Sequence, residues 1–167
     1  SQVILLSPST ELIATVAGSG AGFAGDGGLA AAARLNLPTA LAVDASGNLY
    51  IADTENFRIR KIASGSGLMT TIAGNGVQGF SGDGGAATAA SIDSPAGLAV
   101  DAAGNLYIAD THNHRIRRVD AATGVMTTIA GTGAAAFNGD DIAAGAAALA
   151  LPRGLGIDGG GNLYIAN

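Results

Sequence analysis

A block of sequence recurs along the chain at a fixed interval. LAVDASGNLYIADTENFRIRKI begins at Leu41, LAVDAAGNLYIADTHNHRIRRV begins at Leu98, and the shorter copy LGIDGGGNLYIAN begins at Leu155. Successive copies are 57 residues apart, and a phenylalanine and a proline between them keep the same spacing. A fixed period of this length indicates stacked structural repeats, in which each unit buries its apolar faces against its neighbours.

Each repeat contains four short strand patterns separated by Gly, Asn and Asp. In the second copy these are GLAVDA, LYIAD, RIRRV and MTTIAG, and a long Gly- and Ala-rich linker precedes them. Four such strands predict an up-and-down antiparallel sheet, and one four-stranded sheet per repeat is typical of a β-propeller blade. We therefore predict an all-β propeller with about three blade equivalents, and a helical turn in the ATAAS part of the linker.

Composition narrows the classes of partner. The net charge is −5 with only eight Lys and Arg, which disfavours binding to a phosphate backbone. The chain has no cysteine, which excludes disulfides, thiolate metal sites and cysteine nucleophiles. No apolar run is long enough to span a bilayer. We expect no nucleic-acid partner, no membrane partner, no bound metal and no cofactor.

The order of motifs resembles a known family. GDGG, ATAA, P-x-GLAVDAAGNLYIADTxNxRIRRV and MTTIAG follow one another as in the NHL repeat, especially in bacterial arrays with a GDGG-containing linker. The resemblance covers nearly the whole chain. It implies a β-propeller, commonly six-bladed in this family. It also implies three kinds of activity: recognition domains, metal-dependent lyases or sugar-lactone hydrolases, and RNA binding through a basic face.

The two ends of the chain match complementary parts of one repeat. Residues 1–18 align with the third and fourth strands, and residues 132–167 hold a linker with the first and second strands. Residues 19–74 and 75–131 each hold a linker and a full blade. Because known rings have about four to eight blades, we expect two chains to complete each other's split blades in a six-bladed homodimeric ring. An engineered repeat protein or a fragment of a longer propeller is the alternative.

One face of the disc carries the turns between the second and third strands. We call it the corner face, and strand direction predicts that the long linkers lie there too. Long irregular loops on a rigid scaffold are where binding usually occurs. The binding-face candidates are the variable turn residues and the linker acids: Glu55, Phe57, His112, His114, Asp26, Asp83 and Asp140.

The same turns contain polar residues that are identical in both full copies. Asp and Asn favour turns because their side chains bond nearby backbone N–H groups, and a neighbouring Arg can fork onto a carboxylate. Repetition in both copies favours a structural corner over a catalytic site. The residues of this predicted corner are Asp53, Asn56, Arg58, Asp110, Asn113 and Arg115.

The candidate residues suggest little chemistry. Two histidines without a third ligand make a weak metal site, and one Asp per linker falls short of the six to eight oxygens that Ca²⁺ takes. We therefore interpret the chain as a non-catalytic scaffold for protein or peptide binding. The alternatives are a lyase- or lactonase-like enzyme, or a repeat protein with no natural ligand.

Overall fold

The protein forms twelve short strands in four antiparallel sheets. The structure, a computed structural model, describes all of residues 1–167. The strands are β1 Val3–Leu6, β2 Ile13–Ala17, β3 Pro38–Val43, β4 Leu49–Asp53, β5 Arg58–Ile62, β6 Met69–Ala73, β7 Pro95–Val100, β8 Leu106–Asp110, β9 Arg115–Val119, β10 Met126–Ala130, β11 Gly154–Ile157 and β12 Leu163–Ala166.

The sheets follow the repeat. β3–β6 and β7–β10 are four-stranded blades with neighbouring strands paired in chain order, whereas β1–β2 and β11–β12 are two-stranded half-blades. Within the full blades, β8 pairs with β9 in the same register as β4 with β5. The predicted all-β fold of four-stranded antiparallel blades, with about three blade equivalents, is confirmed.

Each hairpin between the first and second strands of a unit is fixed by one aspartate. Asp101 accepts hydrogen bonds from the backbone N–H groups of Ala103 and Asn105, from the Asn105 side chain and from the Tyr107 hydroxyl. An aspartate that bonds backbone two residues ahead nucleates a tight turn. The same contacts occur at Asp44 and Asp158, so the repeated DxxGN motif explains the end of each first strand.

The core lies between the blades. Leu98 of β7 packs in one buried cluster with Tyr50 and Ala52 of the preceding blade and with Leu106 and Ile108 of its own. The first strands of adjacent units, β3, β7 and β11, also lie side by side, as expected for strands nearest the axis of a propeller. Each blade therefore depends on its neighbour for burial of its apolar faces.

The linkers take a different path from the expected one. They begin and end at the corner face, but the middle of the first and of the second linker runs along the fourth strand of the blade that follows. In the second linker, Gly84 N–H donates to the Met126 carbonyl and Ala87 N–H donates to the Gly124 carbonyl. The outer strand would otherwise leave its backbone groups unpaired, and the linker covers this edge.

Each linker also contains one 3-10 turn. The three turns are Ala30–Ala32, Ala87–Ala89 and Ala144–Ala146, and the second corresponds to the predicted helical turn in ATAAS. None of the helical segments in the structure reaches the length and apolarity that a membrane crossing requires.

Candidate functional site

The corner face is organised by a buried aspartate at the end of each second strand. Asp110 is fully buried and accepts hydrogen bonds from the Asp93 backbone N–H at 2.7 Å and from the Asn113 side chain at 2.8 Å. Asp53 is buried in the same way and accepts from the Asn36 N–H and the Asn56 side chain. The aspartate thus joins the end of the linker to the turn between the second and third strands.

A buried arginine completes this network, and sequence reasoning missed it. Arg117 has no exposed surface, and its guanidinium lies 3.3 Å from Asp110 and 2.8 Å from Asp83. Arg60 makes the same two ion pairs, with Asp53 and Asp26. The linker acids Asp26 and Asp83 are therefore engaged by the scaffold, which explains why GDGG recurs in both linkers.

The expectation that Arg58 and Arg115 would fork onto a carboxylate is wrong. Arg115 instead donates to the carbonyls of Asn113 and Thr132, and its guanidinium stacks 3.9 Å from the Phe80 ring. Arg58 stacks on Phe23 at the same distance. Phe23 and Phe80 therefore cover the arginines of their own blades.

Burial dominates the electrostatics of the corner. It raises the pKa of Asp110 to about 6, against the opposing effect of the Asp93 N–H, Asn113 and Arg117. Burial also raises the pKa of Asp53. At the opposite face, hydrogen bonds led by that from Asn162 lower the pKa of the exposed Asp158 to about 2. Burial thus disfavours the ionised form of the corner carboxylates Asp53 and Asp110.

The two histidines differ in their surroundings. The imidazole Nδ1 of His112 lies 3.4 Å from Asp93, and about half of the side chain is exposed. His114 adopts a left-handed conformation with φ of 54°, and its Nδ1 accepts a hydrogen bond from the Leu151 N–H of the next repeat. His114 therefore connects two units, while His112 remains on the exposed rim.

The equivalent positions in the first blade carry different side chains. Glu55 is exposed at the position of His112, and Phe57 takes the left-handed conformation of His114 with φ of 51°. The backbone of the turn is thus the same in both blades, and the exposed side chain on it changes.

The third linker departs from the other two. Asp140 and Phe137 are exposed, and Asp141 has a positive φ of 58° where the other copies have glycine. The third strand of the unit, which would supply the buried arginine, does not follow within this chain. No group of three or more His, Cys, Asp or Glu side chains is arranged to hold a metal ion.

A buried threonine at each turn also escaped sequence reasoning. The Thr111 hydroxyl donates to the Pro152 carbonyl at 2.8 Å, and the Thr54 hydroxyl donates to the Pro95 carbonyl at the same distance. The Thr54 bond ties its turn to the first residue of β7, and the Thr111 bond ties its turn to the segment just before β11. The signal was present, because both residue types recur at the 57-residue period.

Four-stranded antiparallel blades whose first strands lie side by side form a segment of a β-propeller. The teneurin NHL domain family model matches residues 11–64 and 69–138, which is most of the chain. The chain belongs to this NHL-repeat family, as the motif order predicted.

Several curated proteins share this similarity. NHL repeat-containing protein 2 of Gallus gallus is 38% identical over 101 residues, which is 59% of this chain and 13% of that protein. Teneurin-4 of Homo sapiens is 41% identical over 97 residues, 51% of this chain and 4% of that protein. SUPPRESSOR OF QUENCHING 1, a chloroplastic protein of Arabidopsis thaliana, is 31% identical over 124 residues, 71% of this chain and 12% of that protein. The chain thus spans a small part of each relative's length.

Solved structures show the same fold. A protein of unknown function from Bacteroides thetaiotaomicron superposes with a TM-score of 0.73 at 24% identity, covering 95% of this chain and 37% of that one. An auxiliary nutrient binding protein from the same organism superposes with a TM-score of 0.65 at 18% identity, covering 98% of this chain and 40% of that one. At these identities the likeness concerns the fold alone.

Proposed function

We propose that the chain is a non-catalytic scaffold that binds a protein or peptide at its corner face, and that two copies form the six-bladed ring displaying that face. One observation carries the binding role. The buried network around Asp53 and Asp110 is the same in both full blades, whereas the exposed turn residue changes from Glu55 to His112. Exposed side chains that vary while the supporting structure stays the same are typical of recognition loops.

The strands at the axis support a non-catalytic role. A metal-dependent propeller enzyme needs polar ligands converging on the central channel. The first strands instead carry apolar residues at repeated positions, and both histidines of the chain lie at the corner face. The repeated apolar residues are Leu41, Val43, Leu98, Val100, Leu155 and Ile157.

A random-peptide library displayed on phage, selected against the immobilised chain, tests the binding role. We expect enriched peptides whose affinity, measured by calorimetry, falls in His112→Ala because the imidazole is exposed at the corner face. Ser64→Ala is the matched control, since Ser64 is exposed in the turn between the third and fourth strands at the opposite face. Failure to enrich any peptide, or loss of affinity in Ser64→Ala alone, would contradict the proposal.

A further inference from the structure

A cleft opens between the two full blades at the face opposite the corner face. Its volume is about 520 Å³, which falls in the size range of small-molecule sites. One wall belongs to the blade β3–β6, and the other is formed by the second linker and the hairpins of the blade β7–β10. The cleft therefore lies between two complete repeats, away from the surface proposed for peptide recognition.

The floor of this cleft is apolar and continues into the core between the blades. Leu106 and Val119 are only 2% and 8% exposed and belong to the buried cluster that joins the two blades. Ile72 of β6 packs against the same cluster. The hydrocarbon part of a small organic molecule would be removed from water by lying against these side chains.

Lys61, which is the only lysine of the chain, lines the cleft without an acidic partner. Its ammonium nitrogen lies 5.4 Å from the centre of the Tyr50 ring and makes neither an ion pair nor a hydrogen bond. The equivalent residue of the second blade, Arg118, pairs with Asp120 at 2.9 Å. The first blade has Ala63 at the position of Asp120, so it keeps the cation and lacks the acid that neutralises it.

The two carboxylates that also line the cleft are already occupied. Asp44 accepts four hydrogen bonds from its own hairpin, among them one from the Tyr50 hydroxyl. Asp120 accepts four as well, three from its own hairpin and one from Arg118. A carboxylate has about four lone-pair sites, so neither acid needs a further donor. Lys61 is thus the charged group of the cleft whose hydrogen bonds are unmet.

We propose that this cleft binds a small organic carboxylate, whose charged group contacts Lys61 and whose hydrocarbon part covers the apolar floor. The three N–H donors of the ammonium group then gain charge-assisted hydrogen bonds to an acceptor that the protein itself does not provide. A ligand amine would be repelled by Lys61 and would find both carboxylates occupied. This site goes beyond the proposed recognition role and does not depend on it.

Nuclear magnetic resonance of the chain labelled with ¹³C-lysine tests the contact, because Lys61 alone gives lysine side-chain signals. Titration with 4-methylpentanoate should shift the Lys61 Cε signals along a saturable curve. The backbone amide signals of Leu106 and Val119 should follow the same curve in a ¹⁵N-labelled sample. The matched probe is 3-methylbutylamine, which has the same hydrocarbon chain and the opposite charge, and it should leave these signals unchanged.

Variants of Lys61 separate its charge from its place in the fold. Lys61→Gln should weaken 4-methylpentanoate binding, followed by the amide signals, roughly 10- to 100-fold, because it removes charge-assisted hydrogen bonds. Lys61→Arg keeps the charge and the donors and should retain most of the affinity. Arg34→Gln is the matched control, since Arg34 is an exposed cation of the first linker outside the cleft, and it should bind as the wild type does.

Three results would overturn the proposal. They are a shift of the Lys61 signals that does not saturate, equal binding of the amine and the carboxylate, and equal loss of affinity in Lys61→Gln and Arg34→Gln. Peptide binding at the corner face is measured separately, and its outcome leaves this site unaffected.

Discussion

The buried ion pair between Arg117 and Asp110 can be removed in two ways that differ in cost. Arg117→Ile leaves Asp110 buried, with donors from the Asp93 N–H and Asn113 but no positive charge. Asp110→Asn leaves the fully buried guanidinium with Asp83 as its only carboxylate. The double variant leaves neither charge of the pair at the corner.

The structure sets the size of these effects. Removing one partner of a buried pair costs about 3–5 kcal/mol, because the remaining charge is left in a poorly solvating site. The cost of Asp110→Asn should lie near the lower limit of this range, since Asp83 remains 2.8 Å from the Arg117 guanidinium. Replacing both partners by uncharged groups is much less costly than the sum of the single changes. We expect a coupling energy of at least about 2 kcal/mol.

Urea denaturation at one fixed protein concentration, followed by circular dichroism, measures the free energy of unfolding of the wild type, the two single variants and the double variant. Arg118→Ile is the control, because Arg118 pairs with Asp120 at a site where about a third of each side chain is exposed, and it should destabilise far less. Additive single effects, or a double variant less stable than either single variant, would refute the reasoning that the corner is held by a matched pair of buried charges.

Three further outcomes follow from particular contacts. The raised pKa of Asp110 means that the folded state binds a proton more readily than the unfolded state. Lowering the pH from 8 to 5 should therefore stabilise the wild type by about 1.5 kcal/mol more than Asp110→Asn, and an equal response in urea titrations would contradict this. Gly82→Ala should destabilise by more than about 2 kcal/mol, since φ is +86° and a Cβ would lie 2.6 Å from the Ala90 Cα. Gly84→Ala is the control, because Gly84 also has a positive φ but a Cβ there would meet no neighbouring atom. Equal losses of urea midpoint in the two variants would argue against the close contact with Ala90. Tyr107→Ala should cost about 1.5–3 kcal/mol, because the ring is partly buried and its hydroxyl bonds to Asp101, and the exposed His112→Ala should cost less than about 0.5; equal shifts in melting temperature would count against the blade packing.

The 57-residue period was sufficient to predict the blades, because it aligned four strand patterns with the same turn residues in each copy. It was not sufficient to choose between Arg58 and Arg60 as partner of Asp53. Two residues apart on one strand, these arginines point to the same face, and only the path of the linker decides which one is buried. That path depends on pairing between distant backbone groups, such as Gly84 with Met126, and no local pattern encodes it.

The corner could have been found in one further way. Aligning residue 1 with His114 places Ile4 at the arginine position, and the 57-residue spacing places Asn167 at the aspartate position. Both members of the Arg117–Asp110 ion pair thus have an uncharged equivalent elsewhere in the chain. The recognition role is harder to predict, since exposed side chains such as Glu55 and His112 are constrained by a partner that the sequence does not contain.

Disulfide trapping tests the two-copy ring most directly, because the chain has no cysteine of its own. β8 pairs with β9 so that Ile108 faces Arg117, and in the proposed ring the same register would place Ile165 of one copy opposite Ile4 of the other. Directly paired antiparallel residues are about 4.5–5.5 Å apart at Cα, which suits a disulfide.

An Ile4→Cys chain mixed with an Ile165→Cys chain under mild oxidation should yield a covalent dimer in high proportion. The same Ile4→Cys chain mixed with Glu55→Cys should yield little, because Glu55 is exposed at a corner turn away from the junction. Equal yields from the two mixtures would contradict the pairing of β12 with β1, and with it the closed ring.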